Sequence, residues 1–421
     1  MPKTGGFRCV CPASKIGLMA AGPFAMLEWM STASLGGIFE FGARPIGSAE
    51  NRRVAEFLRA EAERMGYAVQ RLPFTCPLWE KGPSSAERGE ARAEVHAGPF
   101  SPPFDASREV AVAGTLAELK KAKGQGKILF LRGELAKEPL MPRDFPFYFP
   151  DGHKAIYEVL DEKKPSAVVA VTGPHPACGL DPCPLFDDAN YKFPSAYVGE
   201  GSAERLWAEK GMMRLLIDSR TSPETGEQIV AQKKATGAAK GKIVVCAHMD
   251  TAYGTPGALD NAAGVAAMLG AMERLKDYAG PYDLEFVPFN GEDSGLVKGQ
   301  MAYLSHFGGE MGNIRLAVNI DAPGCKGSRV AVSAYNLDGA RRVWLDAEIA
   351  KHKRIERGPE WVEGDHSIFA FQGVPALALT SSNLREGVMK LTHTPKDVAD
   401  LVDPSLLDEA GEFIAALVRG F

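Results

Sequence analysis

The stretch Lys242–Gly264, KIVVCAHMDTAYGTPGALDNAAG, decides how the rest of the chain is read. Ile243 to Cys246 form a short apolar run, the pattern of a strand buried on both faces. His248, Met249 and Asp250 follow at once, then a loop with Gly254, Pro256 and Gly257, then Asp260 and Asn261. In an open α/β sheet helices cover both faces, so chemistry collects beyond the carboxyl ends of the strands. A histidine and two carboxylates delivered to that edge read as the start of a metal site.

The same pattern continues downstream. Apolar runs predict strands over 228–233, 242–247, 284–289, 316–320, 330–333 and 376–379. The third delivers Asn290, Gly291, Glu292 and Asp293, and the fourth delivers Asp321. Val265, Met268, Leu269, Met272 and Leu275 mark one face of a helix that stops before Gly280-Pro281. A last helix is expected after Asp403 as cap, with Pro404 in its first turn and Leu407, Ala410, Phe413, Ile414 and Leu417 facing inward. The alternation predicts an α/β fold, a mixed and mainly parallel sheet flanked by helices on both faces.

Upstream, Ser48 is placed to cap a helix carrying Val54, Phe57, Leu58 and Met65, which Gly66 stops; a strand with Ala68, Val69 and Leu72 follows. Arg44 and Ser48 are assigned to loop-pinning and capping. Between Thr75 and Thr221 proline and glycine are frequent and strand-like runs short (110–113, 128–131, 167–171, 215–217), separated by helical patterns at 116–123, 153–163 and 203–210. This predicts a smaller inserted α/β domain over 76–221, with the catalytic domain made of 37–75 and 222–421 and an N-terminal extension over 1–36.

The bulk of the chain bounds its partners. Its 421 residues are 45% hydrophobic and 24% charged, an ordinary globular composition. A net charge of -5 leaves no electrostatic footprint for nucleic acid or an anionic membrane. The seven cysteines are odd in number and scattered, which is not a disulfide framework; Cys178 and Cys183, near His175, are taken as loop thiols. Lys3, Arg8 and Lys15 before the apolar run 16–27 have the layout of a signal peptide, but Pro23 interrupts the run and Glu28 follows it. Twelve residues are also too few for a bilayer, which needs about 20. The expectation is a cytoplasmic protein, with export through an atypical N-terminal signal as the alternative.

His248, Asp260, Asp293, Asp321 and His393 (in LTHTPKD) each stand past a strand or in a loop. Imidazole and carboxylate donors together suit zinc. Five exceed what one catalytic ion takes, and fit two ions about 3.5–4 Å apart that share a carboxylate. Asp260, in the tight turn GALDNAAG, is the candidate bridge. Glu292 adjoins a ligand but points elsewhere, which suits a general base. Asp250 is placed to accept the other N–H of His248 and fix its tautomer. Competing signatures are missing: there is no HExxH helix and no GxSxG elbow.

From Gly241 onward the chain resembles the zinc-dependent aminopeptidases, a family that includes aminopeptidase Y, bacterial leucyl aminopeptidases, glutamate carboxypeptidase and the glutaminyl cyclases. The matching segments are AHMD, GALDNAAGVAAML, FNGEDSGLVKGQMAYL, VNIDAPG, GDHSIFAFQGVPAL and THTPKD. RPIGSAENRRVAEFLRAEAERMGY is similar to the family's first helix, and GKILFLRG and FPSAYVGEGSAERLWAEKG resemble a protease-associated domain. The resemblance implies one zinc on His248, Asp260 and Asp321, another on Asp260, Asp293 and His393, Glu292 as general base, and Asp250 orienting a histidine. It puts Asp365 and His366 near the substrate pocket. It implies hydrolysis of peptides with a free N-terminus and leaves the oligomeric state open. Where the family has two glutamates this chain has Glu292-Asp293, one methylene shorter at the second, so one ion or two stays open. A single-zinc transferase like the glutaminyl cyclases and a catalytically silent binding protein on the same fold are the alternatives.

Overall fold

Ser48 stands in extended conformation before the helix Ala49–Arg64, and its Oγ accepts the Asn51 N–H at 3.0 Å, an N-cap. Val54, Ala55, Leu58 and Ala62 form the buried stripe of that helix. The computed structural model describes residues 36–143, 145–146, 148–175, 179–191 and 193–421. The apolar run 16–27 and Cys178 therefore lie outside the described residues. No helix among the described residues is long and apolar enough to cross a membrane.

Among the described residues the strands gather into two eight-stranded sheets. β1 (Ala68–Lys81) opens the first. The second is built from β2 (Ser84–Arg88), β3 (Ala91–Ala97), β4 (Phe104–Arg108), β5 (Val110–Ala113), β6 (Ile128–Leu131), β7 (Ala167–Val171), β8 (Ser195–Val198) and β9 (Met213–Ile217). The chain then returns to the first sheet with β10 (Ser219–Lys233), β11 (Lys242–His248), β12 (Asp283–Phe289), β13 (Ile314–Ile320), β14 (Val330–Tyr335), β15 (Ile355–Arg357) and β16 (Ala376–Ser381).

In the first sheet the order is β1-β10-β12-β11-β13-β16-β14-β15. β12, β11, β13 and β16 run parallel, and antiparallel pairs join β1 to β10, β10 to β12 and β16 to β14. From β11 the chain crosses through the helix Gly264–Leu275 to β12 on one side, then through the helix Lys298–Phe307 to β13 on the other. That reversal opens a crevice at the carboxyl ends. The register fixes what enters it: His248 pairs with Phe289 and Cys246 with Asn319. His248, the turn after Phe289, and Asp321 therefore leave the sheet at the same level.

Alternation along β11 divides the core. Ile243, Val245 and Ala247 pack with the helices Ala49–Arg64, Gly264–Leu275 and Pro404–Gly420. Val244 and Cys246 face the other way, toward Tyr303, Phe307 and Phe369. Each such aliphatic, fully buried, stabilises the sheet by roughly 1.5–3 kcal/mol. The last helix starts as its sequence predicts: Asp403 accepts the Ser405 N–H, with Pro404 at the first turn.

Three differences from the sequence reading have physical reasons. β1 runs on to Lys81, paired residue for residue with β10 from Ala68↔Gln232 to Lys81↔Ser219; its prolines, Pro73 and Pro77, are tolerated because β1 is an edge strand. The helix Lys298–Phe307 was not anticipated, because it opens on Val297 in a left-handed conformation (φ +44°) with no side-chain cap. The helix Gly339–Ile349 was missed because it buries only Leu345 and Glu348, too narrow a stripe to show in the sequence.

The second sheet has its own cores and touches the loops of the first. Tyr253, from the loop after β11, meets Trp79 and Phe100 edge-on at 5.2 and 5.4 Å. Leu296, from the turn after β12, packs into the same cluster.

Candidate metal centre

The strand ends bring His248, Asp260, Asp293, Asp321 and His393 together, with Glu292 beside them. His248 Nε2 is 3.0 Å from Asp260 Oδ1 and 3.7 Å from Asp321 Oδ1. His393 Nε2 is 3.2 Å from Asp260 Oδ2 and 3.0 Å from Asp293 Oδ1. Asp260 thus faces one imidazole with each oxygen. Three groups of possible ligands result, His248–Asp260–Asp321, Asp260–Asp293–His393 and His248–Glu292–Asp293, the donor atoms of each lying within 4.8 Å of one another. Ligands held about 2.1 Å from one tetrahedral zinc lie about 3.4 Å apart, within the 3.0–3.7 Å range of the pairs above.

Three of the candidate ligands, Asp260, Asp293 and His393, stand on distinctive backbone features. The backbone at Asp260 leaves helical geometry (φ -118°, ψ 87°) and the Asp260–Asn261 peptide is cis. Asp397 accepts the Leu259 and Asp260 N–H groups at 2.7 and 3.1 Å. Asn261 ties the turn to the end of β13 by donating to Ile320 O at 2.8 Å and accepting from Ala322 N at 3.1 Å. Asp293 Oδ2 accepts the Ala252 N–H at 2.8 Å, which leaves Oδ1 toward His393. The shorter side chain at this position therefore still reaches the group. His393 sits at φ +61°, a left-handed conformation that costs energy for a residue with a Cβ.

The residues fit a metal. His248 is buried, and neither ring nitrogen has a hydrogen-bond partner although carboxylates lie as near as 3.0 Å. Buried polar atoms are otherwise almost always satisfied, and an imidazole lone pair among carboxylates is a ligand for a borderline cation. Burial works against ionised Asp260, but His248 and His393 hold its carboxyl well below the usual range. Glu292 is driven the other way: burial, with Asp293, Asp321 and Asp365 outweighing His248, raises it. Its Oε2 is 3.9 Å from His248 Nε2, and 24% of its side chain is exposed, so it faces the opening.

Two expected roles change. Asp250 makes no hydrogen bond to His248, whose Nδ1 is 3.8 Å from Oδ1. That oxygen instead accepts the N–H groups of Gly291 and Glu292 at 2.8 and 3.1 Å. Asp365 and His366, expected near the substrate pocket, are 4% and 1% exposed and have little surface to offer a substrate. Asp365 is held by Gln300 Nε2 at 2.8 Å, and burial pushes it up to about 7. His366 lies between Tyr335 and Trp361, with Nε2 against Trp361 O at 2.9 Å; burial pushes it down to about 4, so it stays neutral. The helix His366–Ala370 turns both inward because Ile368 and Phe369 seat it on the sheet.

Sequence reasoning gave Asp397 no role, although it lies four residues past His393 in a quoted motif; a carboxylate that binds only backbone N–H groups leaves no spacing pattern. Arg44, assigned to loop-pinning, does hold the loop after His248, through Met249 O at 2.7 Å and Gly257 O at 3.0 Å.

Comparison with known proteins agrees with this picture. Residues 228–418 match the model of peptidase family M28. Aminopeptidase YwaD of Bacillus subtilis (strain 168) is 28% identical over 203 residues, 46% of this chain and 44% of that protein. The chain therefore spans less than half the length of that curated relative. An aminopeptidase from Aneurinibacillus sp. strain AM-1 superposes with a TM-score of 0.72 at 20% identity, over 92% of this chain and 93% of that one. A zinc aminopeptidase from Bacillus subtilis gives 0.71 at 20% identity over the same shares. At that identity these structures establish the common fold, including the inserted part.

Proposed function

We propose that the chain is a metal-dependent aminopeptidase that removes the N-terminal residue of peptides with a free α-amine, a reading supported by the match of residues 228–418 to the model of peptidase family M28. We further propose two zinc ions per chain, one on His248, Asp260 and Asp321 and the other on Asp260, Asp293 and His393. The observation that carries this reading is the position of Asp260, whose two oxygens face the two imidazoles at 3.0 and 3.2 Å. One shared carboxylate between two donor groups is the arrangement of a co-catalytic pair.

When bound, zinc polarises the scissile carbonyl and makes water a nucleophile at neutral pH. The chain's own residues do the proton work. Glu292 takes the proton from the attacking water and passes it to the leaving amine, a role that contributes about 10²–10⁴-fold. Asp250 fixes the turn from which Glu292 projects, through the two N–H groups it accepts. His393, one-third exposed, leaves the second donor group open to the cleft, and the α-amine is placed there.

The test is zinc stoichiometry together with turnover of matched free-amine and N-blocked peptides, with and without chelator. Two zincs per chain, activity abolished by chelation and restored by zinc, and no cleavage of the blocked peptide are expected. One zinc per chain with cyclisation of an N-terminal glutamine would replace this reading with the single-zinc transferase.

A further inference from the structure

We propose that Arg44 is a positioning residue of the metal centre: its guanidinium grips the loop between His248 and Asp260 by both ends and thereby sets the zinc affinity of the chain. The inference rests on the zinc reading above. Arg44 is fully buried. Its Nε donates to Met249 O at 2.7 Å, one residue past His248. One terminal nitrogen donates to Pro256 O and Gly42 O, both at 3.0 Å, and the other to Gly257 O at 3.0 Å, three residues before Asp260. The Arg44 backbone N–H donates to Thr251 Oγ1 at 3.0 Å, in the middle of the same loop. A planar group with donors in a fixed fork thus sets the separation of the first ligand from the shared one.

Two further observations tie this clamp to the metal centre and not only to the fold. Every side-chain acceptor of Arg44 is a carbonyl, so its charge is not consumed in a direct ion pair. It acts instead on Asp293, Asp250, Asp260 and Asp397, the nearby acids of the site. Among these are two of the proposed ligands, which repel each other when no cation lies between them. Arg44 also comes from outside residues 228–418, the segment that matches the peptidase family. The centre is therefore completed by an arm about 200 residues upstream of the loop it holds.

The experiment measures zinc affinity of the full chain by competition with a chromophoric chelator, for wild type, Arg44→Lys and Arg44→Met, with melting curves in the presence and absence of zinc. Loss of a charged hydrogen bond or two predicts zinc affinity lower by about tenfold or more in both variants, and more in Met than in Lys. Turnover of Arg44→Lys should recover toward wild type as zinc is raised. Lysine keeps the charge and most of the volume, so it decides the matter if the methionine variant does not fold; an Arg44→Lys protein that folds only with added zinc supports the clamp. Zinc affinity of Arg44→Lys within about twofold of wild type would overturn the inference, whatever the melting temperature does. A wild-type chain that takes up no zinc would instead overturn the metal reading, a separate outcome.

Discussion

Four parallel strands stand side by side in each sheet, β12-β11-β13-β16 in the middle of one and β8-β7-β6-β5 along one end of the other. In both, the loops beyond the carboxyl ends are rich in glycine and face outward. In the inserted sheet they enclose a cavity of about 730 Å³ lined by Gly114, Arg132, Gly133, Thr172, Gly199 and Trp207. Its carboxylates, Glu118, Glu134, Asp181 and Glu200, have no imidazole among them, and no group of metal-ligand atoms among the described residues meets there. Beyond the ends of β11, β12 and β13 the acids and His248, with His393 from a later loop, are instead buried or half-buried. A parallel sheet supplies the edge in both cases; desolvated donors make only one of them the candidate reaction centre.

Substitutions can break that contrast, beginning with the proposed general base. Glu292→Gln should lower turnover by about 10²–10⁴-fold while zinc content, measured by metal analysis, stays at the wild-type value. Near-normal rates in that variant would remove Glu292 from the scheme. Asp250 comes next. Asp250→Ala releases the Glu292 turn and should cost about ten- to a hundredfold in kcat, a displacement effect. Asp250→Asn keeps an oxygen for the Gly291 and Glu292 N–H groups, so kcat within about threefold of wild type is expected; equal losses in both would return Asp250 to the His248 tautomer. Tyr253→Ala tests the seam between the sheets. It empties the space against Trp79 and Phe100 and should lower stability by about 1–3 kcal/mol in a denaturant titration. Smallest of all, Arg132→Ala removes the guanidinium stacked 5.5 Å over Trp207 in the inserted cavity. Stability within about 0.5 kcal/mol and unchanged turnover are expected; a loss of turnover would mean that the inserted edge takes part after all.

How much was legible depended on whether a residue's job is done by its side chain at a strand end. His248, Glu292, Asp293 and Asp321 follow apolar runs directly, so the strand periodicity that located β11, β12 and β13 also located them. Asp260 and His393 follow no strand directly and were picked out as donors in loops, Asp260 by the tight turn GALDNAAG. Residues that work through backbone atoms were hidden. Asp397 touches only N–H groups and Arg44 only carbonyls and a hydroxyl, and a carbonyl has no sequence identity to pair with. The reading of Asp250 shows the same limit: its proximity to His248 was legible, its preference for the Gly291 and Glu292 N–H groups was not. The polar strands of the inserted sheet, such as Ser84–Arg88 and Phe104–Arg108, escaped because their burial alternates weakly. Ser84–Arg88 pairs with its neighbour Ala91–Ala97, and both Ser84–Arg88 and Phe104–Arg108 pair with Met213–Ile217, far along the chain.

The pairing of Lys81 with Ser219 carries a consequence for how such a molecule is assembled. The chain departs for residues 82–218 and comes back one strand spacing away, about 4.8 Å. A tight turn would close the same gap, so the excursion is grafted onto a hairpin whose stem already belongs to the first sheet. A guest carried on such a stem can be lengthened, exchanged or lost without shifting the order of the host's strands; what it would take with it is the packing it lends to Tyr253 and Leu296.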